Sequence, residues 1–245
     1  MRTATSLSLL GIVISLSAAC GGAAPTPTTE STVAEPAAMA APPAQAAEPA
    51  MPALAAPSDD QLGTSPSGLG LKVGARAPNA TLPDVSGATV ELAQLYAKGP
   101  TFIVFYRGGW CPFCNAQLHS LTEAKAEFDK RGVQLVAISV DLPSEEAKTQ
   151  AQHGVPFPML SDSKLIVQDA FKIVHKTSAE EQAKLAGYGI DLQAYSGEAH
   201  QNFATASIFY VDRDGVIRFA HVDEDYKTRP STAQLLQIAD RLATK

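Results

Sequence analysis

The chain has 245 residues with a formal net charge of −6 at pH 7, and 45% of its residues are hydrophobic. The acidic balance, without a basic stripe that alternates with aromatic residues, argues against nucleic-acid binding. Three cysteines are too few for the disulfide framework of a small exported domain, so their positions must be explained in another way.

The first twenty residues have the pattern of an export signal, predicted as a signal peptide over residues 1–19. Arg2 precedes an apolar stretch over residues 7–14, and Ser17-Ala18-Ala19 leads to Cys20. The stretch is too short for a permanent membrane-spanning helix. The run resembles a bacterial lipoprotein signal, in which the cysteine becomes the lipidated first residue, although Ser17 stands where leucine is usual. It predicts a protein lipid-anchored through Cys20 to a bacterial membrane with its domain extracytoplasmic, periplasmic or at the cell surface; simple secretion is the alternative.

A segment of low complexity follows over residues 20–70. It is rich in Ala, Pro, Thr and Ser, and no aromatic residue occurs before Tyr96. Such a segment buries too little apolar surface to offset the entropy of ordering it. We therefore expect a disordered tether up to residue 70 and one domain over residues 71–245, which is about the usual size.

Short strands and helices alternate along this domain. Apolar residues at spacings of three and four predict helices, and short β-rich apolar runs predict strands. A strand, a long helix and a second strand in succession form a βαβ unit, whose strands should be parallel neighbours. The predicted elements in chain order are a hairpin (81–92), a short helix (93–97), a strand (101–106), a long helix from Cys114 to a stop at Gly132, a strand (133–140), a polar helix ending near Gly154, a second hairpin (207–220) and a closing helix capped by Ser231.

Two thiols stand one helical turn apart where the strand 101–106 gives way to the long helix, in Trp110-Cys111-Pro112-Phe113-Cys114. Unpaired backbone N–H groups and the helix dipole favour thiolate at this place, and thiolate attacks peroxides and disulfides. A structural disulfide would close only a minimal loop. Zinc would need four ligands, and no second thiol pair occurs. We therefore favour a redox pair over these two alternatives and predict no metal and no cofactor.

Several motifs occur in an order that resembles a known family. They are Val73–Pro78, Ile138–Asp141, Phe157–Asp162 and Val211–Gly215, together with Tyr106–Cys114 and Asp225-Tyr226-x-x-Arg229. The order is similar to that of the alkyl hydroperoxide reductase and thiol-specific antioxidant (AhpC/TSA) family, the peroxiredoxins of the thioredoxin superfamily. The resemblance implies an α/β, thioredoxin-like fold: a central mixed sheet flanked by helices, an N-terminal hairpin and a long insertion (176–202) before the last hairpin.

The resemblance also implies roles for residues around the thiols. The family's peroxide-attacking cysteine falls on Cys114, and Cys111 stands at its threonine position. The family's distant arginine would fall near Ala206, where no arginine lies. Arg107 would supply the missing charge, unless it is an exposed loop residue, and Arg229 is a second candidate, unless it has a surface or capping role. Tyr106 completes the expected site and Trp110 is expected to form one of its walls, although Trp110 is equally well a plain core aromatic.

Three functions remain open at this stage. The leading one is a thiol-dependent peroxidase for hydrogen peroxide or organic hydroperoxides, in which Cys114 becomes a sulfenic acid, Cys111 condenses with it, and an external dithiol such as a thioredoxin-like protein reduces the disulfide. The alternative is a thioredoxin-like oxidoreductase for exported protein disulfides, in which a more exposed Cys111 attacks. No proline between Pro158 and Pro230 matches the thioredoxin cis-proline, which argues against it. The third is a non-catalytic lipoprotein that uses the fold for binding.

Overall fold

The computed structural model describes residues 51–243. A mixed sheet with helices on both faces is built from short elements. In chain order these are β1 (Thr81–Pro83), β2 (Thr89–Glu91), α1 (Leu92–Lys98), β3 (Thr101–Phe105), α2 (Pro112–Glu123), α3 (Lys125–Lys130), β4 (Gln134–Ser139), α4 (Pro143–His153), β5 (Met159–Ser161), α5 (Ile166–Ala170), β6 (Val174–His175), α6 (Ala179–Gly187), α7 (Leu192–Ser196), β7 (Phe203–Ala204), β8 (Ser207–Val211), β9 (Ile217–Val222) and α8 (Thr232–Ala243).

The central sheet has five strands in the order β5-β4-β3-β8-β9. Strand β3 pairs in parallel with β4 on one side and antiparallel with β8 on the other. The βαβ unit, both hairpins and the α/β fold class predicted from the sequence are therefore confirmed. The closing helix is confirmed as well, and Ser231 caps it by accepting a hydrogen bond of 3.2 Å from the backbone N–H of Gln234.

The middle strand β3 is buried on both faces. Phe102 and Val104 belong to one apolar cluster, and Ile103 and Phe105 belong to a second. Side chains alternate across a strand, so a fully apolar run can serve both layers of the core at once. This double burial holds the carboxyl end of β3, and with it the loop that carries the thiols.

The prediction of one continuous helix from Cys114 to Gly132 is wrong, because the structure has two shorter helices there. Helix α2 ends at Glu123, Ala124 leaves helical geometry with ψ near 3°, and α3 begins at Lys125. The apolar spacing runs through the break, and Phe128 still packs edge-on against Phe102 with 5.9 Å between ring centroids. Because the same residues remain buried on both sides of Ala124, the periodicity did not reveal the break.

Residues 51–70, which the sequence assigns to the tether, are packed on the domain. The Ala55 N–H donates to Lys227 O at 3.1 Å, and the Arg229 N–H donates to Ala55 O at 2.8 Å. Leu62 packs against the main core. A boundary at residue 71 is therefore too late for the described chain. Composition missed this contact because backbone hydrogen bonds hold the segment and large side chains contribute little.

The signal peptide, Cys20 and the first part of the tether lie outside the described residues. Within residues 51–243, none of the helices is long and apolar enough to cross a membrane. The insertion 176–202 is ordered around α6 and α7. Its two ends are joined where β6 pairs antiparallel with β7, with Val174 opposite Ala204.

Candidate active site

The two thiols lie at the N-terminal end of α2. Cys111 is the extended residue before the helix, Pro112 takes the first helical position, and the Cys114 N–H donates to Cys111 O at 3.0 Å. Proline suits this position because its missing N–H would have no helical partner. The thiols are not joined in a disulfide, and each residue is only 1% exposed. The two residues are equally buried by exposed area, but Cys111 borders the neighbouring cavity and is in that sense the more accessible thiol, as expected.

Two glycines bring the loop before the thiols close to its neighbours. A Cβ on Gly108, whose φ is +148°, would lie 2.3 Å from Trp110 Nε1 and 2.7 Å from Asp141 Oδ1. A Cβ on Gly109 would lie 2.0 Å from Thr149 Oγ1. Any side chain at either position would displace these groups, so the glycine pair is what lets the loop pack beneath the site. The Gly-Gly dipeptide was a sequence signal for this close approach.

Arg229 is the cation that reaches the thiols. Its Nη2 donates to Cys114 Sγ at 3.2 Å, while Nη1 donates to Gln117 Oε1 at 2.6 Å and Nε donates to Tyr226 O at 2.8 Å. The residue is 2% exposed, so the surface or capping role considered for it is wrong. All three nitrogens have partners, which fixes the guanidinium against Cys114.

The two thiols have opposite acidities. Burial alone would raise the pKa of Cys114, but the hydrogen bond from Cys111, the charge of Arg229 and the backbone N–H of Arg107 outweigh it and lower that pKa to about 5. The hydrogen bond to Cys114, together with burial, raises the pKa of Cys111. At neutral pH the pair is therefore a Cys114 thiolate that accepts a hydrogen bond from a Cys111 thiol.

Arg107 is buried among aromatic rings. Its guanidinium carbon lies 4.8 Å, 4.6 Å and 4.3 Å from the ring centroids of Trp110, Phe203 and Tyr226. Its Nη2 is 3.6 Å from Glu181 Oε1 in α6. The alternative of an exposed loop arginine is wrong, because the residue is 8% exposed. Its charge lowers the pKa of Cys114 less than the charge of Arg229 does.

Tyr106 lies behind the site in a buried polar network. Its hydroxyl donates to Glu146 Oε2, and Ser139 Oγ donates to Glu146 Oε1 at 2.6 Å. Burial raises the pKa of Glu146 well above its usual value, and the nearby Asp141 raises it further. The network joins the ends of β3 and β4 to α4, which gives the tyrosine a supporting position.

Asp141 is a site neighbour that sequence reasoning did not single out. Its Oδ2 accepts a hydrogen bond of 2.7 Å from the Gly109 N–H. Burial raises the pKa of Asp141 to about 8, with smaller contributions from the charges of Glu145 and Cys114. The residue lies two positions after the end of β4, the parallel neighbour of β3. The carboxyl ends of parallel strands meet at one sheet edge, and this was the signal that could have found it.

A cavity of about 440 Å³ opens beside the thiol pair. Trp110 and Cys111 belong to its wall, which agrees with the prediction that Trp110 forms a wall of the site. The insertion supplies the opposite side through α6 and the turn after it. Its lining includes Arg107, Phe113, Leu185, Tyr188, Ile190 and Tyr226.

A mixed sheet with a dithiol at the start of the helix after its central strand defines a redox protein of the thioredoxin superfamily. The chain belongs to the AhpC/TSA family, whose model matches residues 73–220. The family membership expected from the sequence motifs is thus confirmed.

Relatives fall into two groups. The chain is 29% identical over 161 residues to alkyl hydroperoxide reductase E of Mycobacterium tuberculosis, covering 65% of this chain and 90% of the relative. It is 28% identical over 158 residues to peroxiredoxin Bcp of Escherichia coli K12, covering 64% and 88%. It is also 30% identical over 103 residues to thiol-disulfide oxidoreductase ResA of Halalkalibacterium halodurans, covering 42% of this chain and 57% of that relative. The chain thus spans little more than half the length of the ResA protein.

Solved peroxiredoxin structures share the fold. Peroxidoxin BcpB from Mycobacterium tuberculosis superposes with a TM-score of 0.54 at 19% identity, covering 70% of this chain and 97% of that one. Peroxiredoxin Q from Xanthomonas campestris gives 0.52 at 20% identity, covering 67% and 91%. These similarities support the thioredoxin-like architecture predicted from the sequence.

Proposed function

We propose that this protein is a thiol-dependent peroxidase that cycles Cys111 and Cys114 between dithiol and disulfide. The observation that carries the proposal is the 3.2 Å contact between Arg229 Nη2 and Cys114 Sγ, in a buried site where the pKa of Cys114 is lowered to about 5. A thiolate beside a fixed guanidinium suits attack on a peroxide, because negative charge passes onto oxygen in the transition state. Membership of the AhpC/TSA family supports this reading.

The first half of the cycle oxidises Cys114. The thiolate sulfur forms a bond to the terminal peroxide oxygen while the O–O bond breaks, and the leaving oxygen takes a proton from solvent and departs as water or an alcohol. Cys114 is left as a sulfenic acid. Arg229 stays protonated throughout and stabilises the charge that moves from sulfur to oxygen.

The second half forms and then reduces the disulfide. Cys111 sulfur bonds to Cys114 sulfur, and the sulfenic oxygen leaves as water with the proton of Cys111. Two electrons must then come from an external dithiol, for which a thioredoxin-like protein is the proposed class. Cys111 lines the cavity, so it is the sulfur that an incoming thiolate would meet. Cys114, with its lowered pKa, is the better leaving group.

A thiol–disulfide oxidoreductase is the second candidate, because of the similarity to ResA and the place of Cys111 in the cavity wall. In that function Cys111 would attack first. The hydrogen bond to Cys114 and burial raise the pKa of Cys111, which holds it as a thiol. The peroxidase is therefore the better supported of the two.

The test is stopped-flow oxidation of the reduced full chain by hydrogen peroxide, followed by the fluorescence of Trp110, the sole tryptophan. Oxidation should be much faster than that of an ordinary thiol, and Cys114→Ser should abolish it. Cys111→Ser should keep the first step and accumulate a sulfenic acid that dimedone traps. The serine hydroxyl can still donate to Cys114, which makes this variant the matched control. Oxidation at the rate of a free thiol, or full turnover by Cys114→Ser, would refute the proposal.

Export and lipid anchoring are part of the proposal and rest on the sequence pattern around Arg2, residues 7–14 and Cys20. An anchored protein would meet peroxides outside the cytoplasm, and its reducing dithiol would have to be extracytoplasmic too. Labelled palmitate should be incorporated into the wild-type chain in a bacterial host and not into Cys20→Ser. Equal labelling of both, or no labelling of the wild type, would contradict the anchor.

A further inference from the structure

The segment that precedes β1 runs past the loop that carries Arg229, and we call its residues 55–64 the N-terminal strap. The Ala55 N–H donates to Lys227 O at 3.1 Å, and Ala55 O accepts a hydrogen bond of 2.8 Å from the Arg229 N–H. In the described part of the chain, these two bonds are the backbone hydrogen bonds that join the loop 225–230 to another segment. The strap therefore holds the backbone of the active-site arginine.

The strap is also fixed at points away from this loop. Pro57 is buried, and its carbonyl oxygen accepts a hydrogen bond of 2.9 Å from Gln234 Nε2 in α8. Further along, the Gly63 N–H donates to His221 Nδ1 in β9 at 3.3 Å, and Leu62 packs against the main core. The strap is thus tied to α8 at one end and to β9 at the other. It has a defined position of its own, against which the arginine loop rests.

The contact between Arg229 and Cys114 depends on this support. Arg229 is 2% exposed, so without the strap its backbone N–H would be a buried donor with no partner, which costs free energy. The loop would have to shift toward water to satisfy that group. The hydrogen bond of 3.2 Å from Nη2 to Sγ is lost with such a shift, and the attraction between the charges weakens with distance. Support of the backbone therefore reaches the thiol through the guanidinium.

We propose that the N-terminal strap is a positioning element of the active site, which keeps Arg229 against Cys114 through the two backbone hydrogen bonds of Ala55. When the strap is released, the guanidinium moves away from the sulfur, and the thiolate loses the cation that stabilises it. A segment whose composition indicates only a spacer thereby takes part in setting the reactivity of the thiol. The consequence for peroxide reduction rests on the proposed peroxidase function, whereas the positioning of Arg229 does not.

The experiment is Ala55→Pro in the full chain, followed by the ultraviolet absorbance of the Cys114 thiolate as the pH is varied. Proline has no N–H and cannot donate to Lys227 O. The inflection, near pH 5 in the wild type, should rise by roughly half a unit to one unit, a fraction of the ~1–3 units that a neighbouring charge gives. Oxidation by hydrogen peroxide should slow about twofold to fivefold at pH 5 and less than about twofold at pH 7, where most of the thiol stays ionised.

Two variants serve as controls. Ala56→Pro places proline one position later, where the residue before Pro57 is already restricted to extended backbone, and both bonds of Ala55 remain. Ala55→Val keeps the N–H at an exposed position and favours extended backbone. Both should keep the wild-type inflection. Ala55→Pro combined with Arg229→Gln should give no shift beyond that of Arg229→Gln alone, because the strap acts through the guanidinium.

The outcomes separate the positioning role from a merely structural one. An unchanged inflection in folded Ala55→Pro, an equal shift in Ala56→Pro, or a further shift in the Arg229→Gln background would each overturn the proposal. Thermal unfolding shows whether each variant is folded. If Ala55→Pro does not fold, Gln234→Ala removes the donor to Pro57 O and should raise the inflection by a smaller amount, and no shift there would overturn the proposal too. Slow oxidation of the wild type by hydrogen peroxide would refute the peroxidase and leave the titration result standing.

Discussion

Arg229 and Arg107 are both buried cations near the thiols, yet they lie in different surroundings. Arg229 has hydrogen-bond partners on all three nitrogens, and one of these partners is Cys114 Sγ. Arg107 lies against three aromatic rings and pairs with Glu181 of α6. The hydrogen bond from Arg229 to sulfur stabilises the thiolate. The stacking of Arg107 on the aromatic rings instead stabilises the walls of the cavity in their positions.

In this site, therefore, different residues control the reactivity of the thiol and the shape of the cavity. The segment 225–230 carries Arg229, whose charge favours the thiolate form of Cys114. The loop 107–110 and α6 form the cavity, and there the guanidinium of Arg107 joins one wall to the other. A variant at each arginine should therefore change a different property.

The largest effect is expected for Arg229→Gln. Without the guanidinium the pKa of Cys114 should rise toward that of a free thiol, which is only a few per cent thiolate at pH 7. Oxidation by hydrogen peroxide at pH 7 should slow roughly tenfold to a hundredfold, partly offset because a more basic thiolate is more nucleophilic. The pH dependence of alkylation of Cys114 measures the shift directly. Arg229→Lys, which keeps the charge, should recover part of the rate.

If the alkylation of Cys114 in Arg229→Gln still has its inflection near pH 5, then Arg229 does not lower the pKa of Cys114. The proposed difference between Arg229 and Arg107 would then be wrong. The melting temperature should be recorded beside it, since the variant also leaves Gln117 Oε1 without its donor.

A smaller effect is expected for Arg107→Leu. Losing the stacked cation should destabilise the fold by about 1–2 kcal/mol, which corresponds to a fall of roughly 2–8 °C in Tm. The alkylation inflection of Cys114 should move less than in Arg229→Gln, because the backbone N–H of residue 107 remains. Thermal melting and the alkylation profile test both statements. An equal shift of the inflection in the two variants would show that Arg107 acts mainly through its charge.

The smallest effect on the rate at pH 7 is expected for Asp141→Asn. Burial raises the pKa of Asp141 to about 8, so the residue is mostly neutral at pH 7 and the amide resembles it. The rate should change by less than about threefold, since at pH 7 a group with that pKa carries little charge. Asp141 Oδ1 and Trp110 Nε1 approach the same point at Gly108, so an inflection of Trp110 fluorescence near pH 8 should disappear in the variant.

Asp141→Asn also has an effect on stability with a defined sign. The folded pKa is above the unfolded value of about 3.9, so Asp141 weakens the fold progressively as pH rises from about 4 to about 8. The variant should gain free energy of unfolding relative to the wild type across this range and level off above it. Urea unfolding at several pH values measures this. A difference that is independent of pH would mean that Asp141 titrates normally.

Many of the secondary-structure elements could be predicted from local sequence patterns. The strand over 101–106, a helix that begins beside the two thiols and both hairpins follow from side-chain periodicity and turn residues, which act over a few positions. Cys111 and Cys114 could be placed together at a helix start for the same reason. The boundary of the domain and the break at Ala124 were missed, because backbone contacts between distant segments and a local change of ψ leave no periodic signal.

The βαβ unit and the two thiols in one helical turn were readable from the sequence, since each depends on residues close together in the chain. The family was readable from the order of short motifs along the domain. Which arginine contacts Cys114 is visible only in the folded chain, because Arg229 lies 115 residues away and is carried there by the path of the chain after β9. The same holds for the place of Asp141 beneath the loop and for the wall that α6 forms at the cavity. Such contacts depend on how the sheet edge gathers distant loops, and one chain's spacing does not encode that in a readable form.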